Sequence, residues 1–131
     1  MRYLGIDYGS KRVGIALSNS EGTIAFPRET IAFDANLITN LARTTKKEKV
    51  DAIVVGDTRT FSGYENPITK EAKSFATQLQ VATALPVHLV WESGSSIEAG
   101  RYAPEGAGHD DAVAAAIILQ RFIDMKVNRV E

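Results

Sequence analysis

Cysteine is absent from this chain of 131 residues, and histidine occurs only twice, as His88 and His109. Disulfides and thiolate metal sites are therefore excluded. Any metal site built by the chain must rest mainly on carboxylates, which favour hard ions such as Mg2+ or Mn2+. No apolar run approaches the roughly 18–20 residues that span a bilayer, and no secretory leader is recognisable, so the expectation is a soluble cytoplasmic protein with no membrane partner. Neither sign of charge dominates: 15 Lys and Arg against 16 Asp and Glu leave a net charge of −1, which gives no global electrostatic argument for nucleic acid. Internal repeats, low-complexity tracts and interdomain linkers are also missing. The length fits one domain, residues 1–131, large enough to bury a substantial core without cross-links.

What is present begins with a strand that ends on a charge. The apolar run from Tyr3 to Ile6 leads into Asp7, and a carboxylate at the end of a buried strand needs a partner or solvent to offset its desolvation. Either a cation or the amides of a turn could serve. Gly9 and Ser10 suit a tight turn, and Val13, Ile15 and Leu17 alternate with Gly14, Ala16 and Ser18, so the first two strands read as a hairpin. Gly5 shares a strand face with Asp7, which leaves that face open to close approach by a helix or a substrate backbone.

Thr23 to Ile31 reads as a third strand in which Pro27 demands an edge position or a bulge. Asp34 is placed to cap a helix with the apolar stripe Leu37, Ile38, Leu41 and Ala42, and Lys46, Lys47 and Lys49 suit its solvated C-terminal end. Ala52 to Val55 is a continuous apolar run typical of a parallel strand. A polar loop spans Asp57 to Glu65, after which Asn66 and Pro67 start a helix with the stripe Ile68, Ala72, Phe75, Ala76 and Leu79. Pro86 to Trp91 is a further buried strand, with His88 packed in or beside the sheet. Ser95 to Glu98 has capping-box spacing for a short helix. An alanine-dense helix from about Asp110 to Met125 can press closely on a sheet. The order predicts an α/β fold with a mixed five-stranded sheet, antiparallel across the hairpins and parallel where helices intervene, flanked by helices.

Ligands of such sheets gather beyond the carboxyl ends of parallel strands. Three carboxylates fall at suitable places: Asp7, Glu92, and either Asp110 or Asp111 at the start of the last helix. Bringing them together is costly unless some are protonated or a cation neutralises them. Two Mg2+ or Mn2+ ions about 4 Å apart could activate water and stabilise the leaving oxygen in attack on a phosphodiester. Ser10, Lys11, Arg12 and Arg59 are candidates to hold the substrate's phosphates. Trp91 reads as core or rim packing, and His109 as a solvent-facing residue or a proton shuttle.

The segments Leu4–Ser18 (LGIDYGSKRVGIALS) and Asp111–Gln120 (DAVAAAIILQ), with Val55-Gly56, Gly63 and Glu92 followed by Ser95-Ser96, resemble the pre-16S rRNA nuclease family. This is the YqgF-type, Holliday-junction-resolvase-like group of the RNase H-like superfamily. The resemblance covers nearly the whole chain. It implies an RNase H-like fold, Asp7, Glu92 and Asp111 as the catalytic metal ligands, and a nuclease acting on structured RNA or on branched DNA, as monomer or homodimer. The chain departs from the family pattern beside Glu92, where Trp91 and Ser93 replace an aspartate and an arginine, and after Gly56, where Asp57-Thr58 replaces a leucine-proline pair. Serine cannot supply the bidentate phosphate contact of an arginine. Two readings of other classes compete: a nucleic-acid-binding module with weakened chemistry, and an ATP-handling domain, since the Asp-Tyr-Gly-Ser hairpin is similar to the phosphate loop of sugar kinases and actin-like ATPases.

Overall fold

The computed structural model describes residues 1–9, 11–56, 67–90 and 111–129. Within them the elements follow as β1 (Tyr3–Asp7), β2 (Arg12–Ser18), β3 (Ala25–Ala32), α1 (Leu37–Lys47), β4 (Ala52–Gly56), α2 (Pro67–Thr83), β5 (Val87–Val90) and α3 (Asp111–Arg129). The strands form one sheet in the order β3-β2-β1-β4-β5. β1 pairs antiparallel with β2, and β2 with β3. β4 is parallel to both β1 and β5. Hairpins and helical crossovers thus divide the sheet as the sequence pattern requires, because only a crossover can return the chain to a parallel neighbour.

Pro27 lies on the edge strand. Ile15 pairs with Glu29 and Ala16 with Pro27, so Arg28 is the extra residue of a β-bulge. The missing N–H of proline is tolerated there because an edge strand has a side with no ladder to complete. The cap of α1 departs from expectation. The N-cap is Asn36, which makes no side-chain capping bond. The Asp34 carboxylate instead accepts a bond from the Asn36 backbone N–H at 2.9 Å, forming a local Asx turn before the helix starts. At the other end Lys46 and Lys47 occupy the last turn, where their charge complements the helix dipole.

Alternation along the central strands divides the core in two. Leu4, Ile6, Val13, Ile15, Ile53 and Val55 face α1 and α2, meeting Leu37, Leu41, Phe75 and Leu79. Tyr3, Ala16, Ala52 and Val54 face α3, meeting Ala115, Ile118, Leu119 and Ile123. Burying a large aliphatic side chain completely, as at Leu4, Ile6 and Leu119, contributes about 1.5–3 kcal/mol each. Strand β5 obeys the same parity: Val87 and Leu89 pack with the first cluster, while His88 turns to α3, its ring 5.1 Å from that of Phe122. Burial, and then the nearby Lys126 ammonium, hold the His88 pKa below its ordinary value of 6.5.

Candidate active site

Asp7 ends β1, the middle strand of the sheet, and is only 6% exposed. Its side chain lies on the α3 face, two residues from Gly5 and across the ladder from Gly14 and Gly56. These three glycines are what let α3 lie on the sheet. A Cβ at Gly5 would stand 2.7 Å from Leu119 Cβ and 3.2 Å from the Ala115 carbonyl oxygen, and one at Gly56 would stand 2.8 Å from Ile118 Cγ2. A Cβ at Gly14 would fall on the backbone carbonyl of Asp111. Cross-strand partners project to the same face as near neighbours, so the first residue of α3 sits directly above the residue opposite Asp7.

Helix α3 therefore runs antiparallel to β1. Asp111 lies at the Asp7 end, Ala115 and Leu119 over Gly5, and Phe122 packs edge-on against Tyr3 with ring centroids 5.6 Å apart. The helix N-terminus, with its partial positive charge, points to the end of the sheet that holds Asp7, which favours carboxylates and anionic ligands there.

Arg12 opens β2, pairs with Ala32 of the edge strand and has a 51% exposed side chain. Its Nε donates to Asp111 Oδ2 at 2.5 Å, and the Asp111 side chain is 18% exposed. Among the described residues this carboxylate is the guanidinium's one hydrogen-bond acceptor. Lys11 is exposed at the same turn, its carbonyl accepting a bond from the Phe33 N–H. The structure thus brings Asp7, Asp111 and Arg12 to one end of the sheet, with Lys11 beside them. Ser10, Arg59, Glu92, His109 and Asp110 lie outside the described residues, as do Trp91, Ser93 and the capping-box segment Ser95 to Glu98.

The donor chemistry fits a hard divalent cation. Asp7 and Asp111 offer carboxylate oxygens from two rigid elements, and oxygen ligands are what Mg2+ and Mn2+ take. Among the described residues no group of three Asp, Glu, His or Cys forms; Glu92 is the candidate for the third. A groove of about 360 Å³ on the other face, between α1 and α2, is lined by Tyr8, Phe33 and Phe75 and rimmed by Asp34 and Glu71. Its two carboxylates suit it poorly to phosphate.

Sequence reasoning passed over two features. Gly14 falls in the alternation of β2 and Gly56 at the end of an apolar run, yet both clear the path for α3; a glycine inside a strand pattern is the signal for such close approach. The Arg12–Asp111 pair joins residues 99 apart, and no local pattern links them.

A mixed sheet of this order, with a long helix laid across its central strands, is the RNase H-like fold. Solved structures share the fold. RuvC of Thermus thermophilus in complex with a Holliday junction substrate superposes with a TM-score of 0.60 at 15% identity, covering 97% of this chain and 96% of that one. The fowlpox virus resolvase with Holliday junction DNA gives 0.56 at 10% identity, covering 96% and 99%. Residues 1–125 match the family described as "RuvX: Holliday junction resolvase", and the chain belongs to this family. Relatives named pre-16S rRNA nuclease include those of Oleidesulfovibrio alaskensis, 37% identical over 98% of this chain and 96% of its own length. The Bordetella parapertussis relative is 39% identical over 92% of each.

Proposed function

We propose that this protein is a divalent-metal-dependent nuclease that hydrolyses phosphodiester bonds in precursor 16S rRNA, with Asp7, Asp111 and Glu92 as metal ligands. The observation that carries this reading is the seating of Asp111 over Gly14, the cross-strand partner of Asp7. It puts two carboxylates of distant sequence at the carboxyl end of a central parallel strand, where open α/β sheets bind their ligands. The names of the relatives supply the substrate.

A bound pair of Mg2+ or Mn2+ ions would supply an activated water and stabilisation of the leaving oxygen. The chain's own residues provide the rest. Asp7 and Asp111 hold their oxygens on elements fixed by backbone contact, so the ligand geometry is set before substrate arrives. Lys11 and Arg12, with Ser10 and Arg59, contact the phosphates and register the strand without reading its sequence. The positive end of α3 adds to the attraction for the backbone. Among the described residues no helix is long and apolar enough to cross a membrane, and the reading implies work in the cytoplasm, where precursor rRNA is processed.

The test is cleavage of a labelled precursor 16S rRNA fragment and of a four-way DNA junction in Mg2+, Mn2+ or chelator, for wild type and Asp7→Asn. Metal-dependent cutting of the RNA, abolished in a folded Asp7→Asn, is the expected result. Cutting of the junction alone would move the substrate to branched DNA, as the family's description has it. Wild-type cutting by Asp7→Asn would remove Asp7 from the chemistry, and RNA binding without cutting in any divalent ion would leave a binding module.

A further inference from the structure

The Arg12–Asp111 ion pair sets two roles of the site against each other. Asp111 is a proposed metal ligand, yet its Oδ2 is taken by the Arg12 Nε. A divalent ion on the same carboxylate weakens this contact, because two cations on one carboxylate repel and share its charge. The structure also distinguishes which partner can leave. Asp111 is held by its own backbone, packed where a Cβ of Gly14 would be. Arg12 is a long, 51% exposed side chain, free to turn about several bonds. Its single contact runs through Nε, which leaves the terminal nitrogens of the guanidinium fork without a partner among the described residues. That fork is the group that takes a phosphate in bidentate fashion.

We propose that Arg12 is a resident counter-cation of Asp111 whose exchange onto a substrate phosphate couples nucleic-acid binding to metal binding. This rests on the reading of Asp111 as a metal ligand. With neither ligand present, Arg12 neutralises Asp111 and lowers its affinity for a divalent ion. A phosphate that draws Arg12 away exposes the carboxylate, and a metal on the carboxylate releases the guanidinium to the phosphate. Each ligand then strengthens the other by one factor, as linkage requires. Arg12 is here a positioning residue that acts through Asp111, beyond its contact with phosphate.

The experiment is calorimetric titration of Mn2+ into the full chain, without and with a saturating RNA stem–loop, whose integrity through the titration is checked by gel. Wild type, Arg12→Gln and Asp111→Asn are compared, with thermal melting as the check on folding. Coupling energies between sites correspond to roughly 5- to 150-fold in affinity. Arg12→Gln is expected to bind Mn2+ alone tighter than wild type by a factor in that range. The RNA is expected to tighten Mn2+ binding to wild type by a similar factor and to leave Arg12→Gln nearly unchanged. A merely structural role for Arg12 would not produce a gain in metal affinity. If Asp111→Asn loses Mn2+ affinity while Arg12→Gln binds Mn2+ as wild type does or more weakly, the exchange is refuted and the ligand assignment stands. If Asp111→Asn binds Mn2+ as wild type does, the ligand assignment itself fails and the exchange falls with it.

Discussion

Replacing Gly14 by alanine adds one methyl group in the most crowded place near the site. The new carbon would stand 1.7 Å from the backbone carbonyl oxygen of Asp111, and neither a strand in the sheet interior nor the backbone of a helix can yield as a side-chain tip can. The N-terminal turn of α3 must lift. Inserting a methyl into a packed interior typically costs 1–3 kcal/mol, and each kcal/mol lowers the melting temperature of a domain of this size by roughly 2–8 °C. The chemistry suffers more, since a misplacement of about 1 Å can cost about 10²-fold in rate, and the element that lifts carries Asp111. Gly5→Ala is the matched control. Its Cβ would press Leu119 Cβ at 2.7 Å, overpacking the same helix two turns from its start. Thermal melting should show a loss of stability in both variants, the larger in Gly14→Ala, and the loss of metal-dependent cleavage, about 10²-fold, should be confined to Gly14→Ala. Wild-type cleavage by Gly14→Ala would refute the claim that this backbone contact sets the carboxylate geometry.

Two further outcomes concern stability. Ser18 is 3% exposed, and its Oγ accepts from the Tyr3 N–H and donates to the Asn19 carbonyl, both at 2.8 Å; Ser18→Ala orphans a buried N–H and should cost about 1–3 kcal/mol in chemical denaturation. Burial, and then Lys126, lower the His88 pKa, so around and below its ordinary value the unfolded chain binds more protons than the folded one. Stability is therefore complete above about pH 6.5 and declines as the pH falls from there toward the lowered folded value. Melting curves of His88→Gln should lack this part of the decline, and an unchanged slope between wild type and variant would disprove it.

Much of the fold was legible because it is written in periods. Alternation gave β1 and β2 their two faces, the apolar run Ala52–Val55 marked a parallel strand, and Pro27 called for an edge position or a bulge, where the strand has both. The alanine-rich helix was recognised as one that could approach a sheet closely. Asp34 misled because the same side-chain oxygen that caps a helix can also close an Asx turn, and here the turn came first. Of the site, Asp7 could be found from its position alone, as a charge ending a buried strand. The close seating of Asp111 could not, since it depends on which residue of β2 stands opposite Asp7 and on the helix lying antiparallel across it. Both are tertiary facts. Arg12 was legible as a basic residue beside Asp7, but its partner lies 99 residues away.

The glycines and the arginine divide the control of the site between geometry and occupancy. Gly5, Gly14 and Gly56 sit on three adjacent strands and flank Asp7 on one face; together they bring α3 down until its first residue rests on the sheet backbone. The backbones that carry Asp7 and Asp111, the ligands in the proposed function, are then held by direct contact, which has few soft degrees of freedom, rather than by side-chain packing, which has many. The charge of Asp111 is met by Arg12, an exposed side chain at the start of β2, so the flexible partner of the pair is the one on the outside. Changes at the glycines should therefore fall mainly on the rate of cleavage at saturating metal. Changes at Arg12 should fall mainly on the metal concentration at which cleavage begins. A glycine variant rescued by excess Mn2+ would mean that occupancy rather than geometry had been lost, and that the division drawn here is wrong.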